Sequence, residues 1–198
     1  ISSTRDDPSL RAILEATLED AMGAGLVLDA VLAESLAQRN ALWRLRESVP
    51  EAQRAAGASI KHDVSVPVAA LPDFMAAATA AVLAIVPAGR MVAYGHVGDG
   101  NLHFNVSEPA GGDRATFVAK EAEIQAAVHA IVGRFRGSFS AEHGIGRLKR
   151  DALARHKSAV ALETMRAVKR AIDPKGIMNP GKVLLDAGPG KPGEPRTR

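Results

Sequence analysis

The chain has 198 residues and a mass of 20.7 kDa, enough for one large domain with a real core but too little for separate cofactor and substrate domains. Of the 46% hydrophobic residues 37 are alanine, which favours Ala-rich helices on a modest sheet; aromatics at 4% argue against a base-stacking nucleic-acid module, and the absence of Cys excludes disulfides, thiolate metal sites and Cys nucleophiles. The net charge of +3 comes mainly from the last twelve residues, where Lys191, Arg196 and Arg198 stand against Glu194, so no nucleic-acid or other polyanion partner is expected.

In chain order, residues 7–22 read as a helix, with Asp7 as N-cap before Pro8 and a stripe of Leu10, Ile13, Leu14, Leu18 and Ala21. Residues 29–33 read as a short strand, and 35–49 as a helix stopped by Pro50. Residues 60–67 alternate as a strand with one buried face, and 71–86 form a helix ended by Pro87 and Gly89. The longest nearly apolar run, 74–86, has 13 residues, short of the roughly 18 to 20 that span a bilayer. With no signal peptide at its start, the chain is expected to be cytoplasmic or at the membrane periphery.

Residues 91–106 read as strand, turn and strand around a Gly-Asp-Gly-Asn turn, followed from Asp113 by a long helix with Phe117, Ile124, Val128, Ile131 and Phe135 on one face. A short strand at 137–140 leads to Glu142-His143-Gly144, then helices near 148–156 and 158–172. The composition of 186–198 is that of a disordered tail, leaving 1–185 as the folded domain. The order of elements predicts an α+β fold with an antiparallel sheet, helices on one face and further helices at the C-terminus.

The chemistry concentrates in two places. If Asp99-Gly100 is a two-residue hairpin loop, His96 faces His103 and Tyr94 faces Asn105, with the two imidazoles close enough to share one metal ion. Two imidazoles make a poor site alone, and Glu142 or His143 is the natural third group. Successive side chains of extended backbone diverge, which suggests Glu142 as ligand and His143 as acid/base. His62, His129 and His156 read as structural histidines.

GHVGDGNLHFNV at 95–106, SAEHGIGRLKRD at 140–151, LWRLRES at 42–48 and DPKGIMNPGKVL at 173–184 resemble the C-terminal domain of FAD-linked oxidases. That group includes D-lactate dehydrogenase, D-2-hydroxyglutarate dehydrogenase and the glycolate oxidase flavin subunit. The resemblance implies a ferredoxin-like substrate domain that follows an FAD-binding domain, here missing. It implies a divalent ion, commonly zinc, on His96, His103 and Glu142, with His143 as proton acceptor. It also implies Arg46, Lys61 and Asn105 as contacts of a 2-hydroxy acid, and Asn179 as a candidate cofactor contact. One position departs: Pro50 stands where 2-hydroxyglutarate-type members carry a small hydroxyl residue, and proline has no hydrogen to donate to a distal carboxylate.

The expected function is therefore the metal and substrate half of an FAD-dependent D-2-hydroxy acid dehydrogenase or oxidase. GHVGDG sits between strands and not before a helix, so nucleotide binding is not supported by the chain itself, which is expected to bind neither FAD nor NAD tightly and to be inactive alone. Two alternatives stand beside it. One is a free-standing metal-binding hydrolase using the same two His and Glu. The other is an interaction or homodimerisation module with the 113–135 helix as interface.

Overall fold

The computed structural model describes residues 4, 6 and 8–185. Asp7 and the tail 186–198 lie outside the described residues. The chain divides into two units, residues 1–52 and 53–198.

In the first unit, helix α1 (Leu10–Gly23) starts at Ser9 and carries an Arg11–Glu15 ion pair at 2.7 Å along its surface. Residues 29–33 form no strand: Val31 is 75% exposed, and without a neighbouring strand to satisfy its peptide groups the segment stays irregular. Helix α2 (Leu36–Ala55) begins in this unit and runs straight through Pro50, where the sequence predicts a stop. An interior proline costs about 3 kcal/mol in a lost N–H bond and a steric clash. The far end of α2 belongs to the second unit and is tied down there. Gln53 is 4% exposed, donates to the Ser107 hydroxyl at 3.2 Å and accepts from the Asn105 amide at 3.0 Å.

The second unit is built on strand β4 (Asn101–Ser107), with β3 (Arg90–His96) antiparallel along one edge. On the other edge β1 (Ser59–Ile60) and β2 (Asp63–Ser65) pair with β4 in a single register, from Ser59 opposite Ser107 to Asp63 opposite His103. They are one strand interrupted where the His62 N–H bonds the Asn105 side chain and not a backbone carbonyl. Outside β2, the predicted strand at 137–140 is reduced to a bridge between Ser65 and Ser138. Gly137 allows that approach, since a Cβ there would lie 2.2 Å from the Ser65 carbonyl oxygen. With helices α3 (Leu71–Ile85) and α5 (Glu121–Arg134) as connections, the order is β-α-β-β-α-β, the expected α+β arrangement.

Alternation sends Ile60, Val64, Leu102, Phe104 and Val106 to one face, where they meet Phe74, Ala78 and Val82 of α3 and Ile124, Val128 and Val132 of α5. The predicted 113–135 helix is in fact α4 (Arg114–Ala119) followed by α5, and its apolar stripe is buried inside this core. The stretch Val68–Ile85 reaches 18 residues at mean hydropathy 1.9, longer than the sequence reading, and by length and composition alone it could cross a bilayer. In the fold its Phe74, Ala78 and Val82 are fully buried in this core. A smaller core of Phe139, Ala152 and Leu153 joins α6 (Arg150–His156) to α7 (Ala159–Ile172) and to Val183 and Leu184.

His62 points into the helix side of the sheet, its Nδ1 2.8 Å from the Phe104 carbonyl and its Nε2 without a hydrogen-bond partner. The His129 ring meets it edge-on at 6.1 Å. Burial pushes both imidazoles down to about 4, with the neighbouring positive groups adding to the effect at His129. The unfolded chain takes up these protons near pH 6.5, so it binds more protons than the folded chain between about 6.5 and 4. Stability is expected to be full above pH 6.5 and to fall as pH drops through that window, by about 3 kcal/mol for His62 alone. Urea midpoints measured from pH 7 to 4 check this; a midpoint that stays constant over the window would overturn it.

Candidate functional site

The opposite face of the sheet is polar, with Asp63, His103, Tyr94 and His96 on it. The β3–β4 connection is not a two-residue loop. Residues Val97–Asp99 make a 3₁₀ turn closed by Gly100 at φ 72, and the Asp99 carboxylate accepts the Asn101 N–H at 3.1 Å. A Cβ on Gly100 would lie 2.0 Å from the Val66 carbonyl oxygen, so both its φ and its packing require glycine. The longer loop moves the register by two residues from the predicted one: Tyr94 faces His103, Val92 faces Asn105 and His96 faces Asn101. A shift of two keeps every side chain on its predicted face while changing its neighbour.

His103 is the centre of the site. Its Nε2 lies 3.0 Å from Glu142 Oε1, its ring stacks on His143 at 5.3 Å, and Tyr94 leans against it at 5.0 Å. His143 Nδ1 lies 3.6 Å from Asp63 Oδ2, and its Nε2 4.0 Å from Glu142 Oε1. One ligand atom from each of Asp63, His103, Glu142 and His143 lies within 4.8 Å of the others. Nitrogen and carboxylate donors in this number suit a borderline ion such as zinc. The cluster also opens outward, with the His143 side chain 61% and Glu142 42% exposed against 13% for His103.

Glu142 and His143 do not diverge as extended backbone predicts. Both turn toward His103 because their successive N–H groups are bound by one carboxylate, Asp63 Oδ1 at 3.2 Å from Glu142 N and Oδ2 at 3.0 Å from His143 N. Lys149 Nζ reaches the same Oδ2 at 3.1 Å. Burial by itself would raise the Asp63 carboxyl, but the His143 N–H, the Lys149 ammonium and the Glu142 N–H together hold it below the ordinary carboxylate value. Neither Asp63 nor Lys149 emerges from the sequence reading; the only local signal was an acid at an alternating strand position.

The other predicted residues are not among the four clustered groups. His96 is exposed, with Nδ1 3.6 Å from Asp99 Oδ2, and is not among the four clustered groups. Asn105 is 2% exposed, with its oxygen accepting the His62 N–H at 3.1 Å and its amide donating to Gln53. Lys61 is exposed and falls opposite Asn105 in the register of β1 and β2. Arg46 is half-buried on α2 in the first unit. Asn179 is exposed at φ 47, in a loop organised by Asp173, whose carboxylate receives the Lys169 ammonium and the N–H groups of Ile177 and Met178.

An antiparallel sheet with helices on one face and a histidine-carboxylate cluster on the other defines an α+β domain with its candidate site on the polar face. The chain belongs to the family of FAD linked oxidases, C-terminal domain, whose model matches residues 2–183. It is 42% identical over 169 residues to a D-2-hydroxyglutarate dehydrogenase of Stutzerimonas stutzeri, covering 85% of this chain and 36% of that protein. It is 36% identical over 179 residues to a mitochondrial D-2-hydroxyglutarate dehydrogenase of Arabidopsis thaliana, covering 90% and 31%. A mitochondrial D-2-hydroxyglutarate dehydrogenase of Danio rerio is 36% identical over 189 residues, covering 93% and 33%. The chain thus spans about a third of the length of these curated relatives.

Proposed function

We propose that the chain is the substrate- and metal-binding half of an FAD-dependent dehydrogenase that oxidises a D-2-hydroxy acid to the 2-oxo acid, with 2-hydroxyglutarate the first candidate. The observation that carries this reading is the clustering of Asp63, His103, Glu142 and His143 on the polar sheet face. The relatives' printed names supply the substrate class.

His103 and Glu142 would hold a divalent ion, which when bound would supply a Lewis acid for the substrate hydroxyl, while FAD on a separate domain would supply the hydride acceptor. His96 completes the ligand set in this reading. In the strand register His96 is the diagonal neighbour of His103 on the same face. His143 takes the hydroxyl proton at Nε2, because Asp63 beside Nδ1 favours the tautomer that keeps the hydrogen there. Arg46 binds a substrate carboxylate by a two-point fork and Lys61 adds a point charge. Asn105 acts from beneath, through the backbone at His62. Asn179, exposed in its loop, is the candidate cofactor contact in this reading.

Mixing the full-length flavoprotein with D-2-hydroxyglutarate, D-lactate or glycolate under anaerobic conditions tests the reading. Bleaching of the flavin band by D-2-hydroxyglutarate before the others is expected. Absence of bleaching by all three, or metal-dependent hydrolysis without flavin, would overturn it. The 198-residue chain alone is expected to carry no flavin absorbance.

A further inference from the structure

The buried carboxylate of Asp63 has a second reading. Its oxygen lies close enough to His103, Glu142 and His143 to be a metal ligand itself. Its hydrogen bonds point elsewhere. The side chain is 2% exposed and already receives the Glu142 N–H, the His143 N–H and the Lys149 ammonium, with His143 Nδ1 drawn up to 3.6 Å. A carboxylate offers about four lone-pair directions, and these three hydrogen bonds, with the Ser140 hydroxyl 3.4 Å from Oδ2, fill most of them.

Lys149 is equally committed. Besides Asp63, its Nζ donates to the Phe139 carbonyl and to the Ser140 hydroxyl, each at 3.1 Å. The Ser140 hydroxyl in turn donates to the Gly144 carbonyl at 2.7 Å. The ammonium therefore clamps the start of the turn while the carboxylate clamps its middle. The carboxylate holds the backbone of Glu142 and His143, and the direction of those two N–H groups decides where both side chains point.

We propose that Asp63, paired with Lys149, is a positioning residue that anchors the 140–146 turn to the sheet and aims Glu142 and His143 at His103, without ligating the ion itself. This rests on the reading of His103 and Glu142 as a metal pair. It makes a prediction of opposite sign to simple charge. A cation beside a cation site repels the ion, so removing Lys149 on electrostatic grounds alone would tighten metal binding. As part of an anchor its removal weakens binding, since partners that orient ligands are commonly worth 10–100-fold in metal affinity.

The test is zinc titration calorimetry of the 198-residue chain with Asp63→Asn, Lys149→Met and Lys149→Arg, together with amide hydrogen exchange over 140–146 without metal. Lys149→Met and Asp63→Asn are each expected to weaken zinc about 10–100-fold, Lys149→Arg to recover most of the loss, and both weakening variants to lose protection at the Glu142 and His143 amides. Far-UV circular dichroism confirms that each variant is folded, and Lys149→Met decides the matter if Asp63→Asn is not. Tighter or unchanged zinc binding in Lys149→Met overturns the proposal. So does a loss confined to Asp63→Asn with exchange unaltered, which would make Asp63 a ligand. If the unaltered chain binds no zinc, the metal reading fails by itself and the exchange data still decide the anchor.

Discussion

Replacing His103 by alanine is expected to lower the zinc affinity of the chain by about a hundredfold or more while leaving the fold intact. Glu142 meets His103 Nε2 at 3.0 Å, and His143 and Tyr94 lie against its ring. A site deprived of one of its few donors loses more than the 10–100-fold typical of residues that only orient ligands. The fold should survive because the side chain lies on the polar face, away from Phe104 and Val106, which carry the core from the same strand. Calorimetry with zinc, beside a thermal melt, separates the two effects. Unchanged affinity in a folded variant would show that His103 and Glu142 are only an ion pair.

His143→Gln is expected to leave zinc binding within a few fold but to lower kcat/KM of the full-length flavoprotein by about 10²–10⁴, the usual worth of a positioned acid or base. The side chain is 61% exposed, so its loss costs little packing, and glutamine keeps a hydrogen-bonding group of similar reach. The loss should fall on kcat more than on KM, because the proton moves only as the substrate reacts. Stopped-flow flavin reduction measures this directly. A variant that retains near-full reduction rates would assign the base elsewhere.

Much of this architecture was readable from local pattern. Alternation marked the strand through Val64, an apolar stripe marked α1, helices α3, α6 and α7 fell where the sequence reads helices, and the buried positions Phe117, Ile124, Val128 and Ile131 followed from one apolar stripe. Local rules failed where a distant contact decided the outcome. Pro50 signals a stop, yet Gln53, one turn later, is held by Asn105 and Ser107. Asp-Gly signals a two-residue hairpin, yet Asp99 spends its carboxylate on the Asn101 N–H and the loop lengthens.

The sequence by itself determined the α+β order of elements, the polar and apolar faces of the sheet, and His103, Glu142 and His143 as candidate site groups, because periodicity and composition are local properties. The tertiary structure alone decided who meets whom on the polar face. It put Tyr94 and not His96 opposite His103, and it brought Asp63 to the N–H groups of Glu142 and His143 and to Lys149, about eighty residues away. A single buried carboxylate bonded across that separation has no periodic signature. Its partners exist only once the sheet edge and the turn have been folded together, and burial then makes leaving any of them unmatched costly.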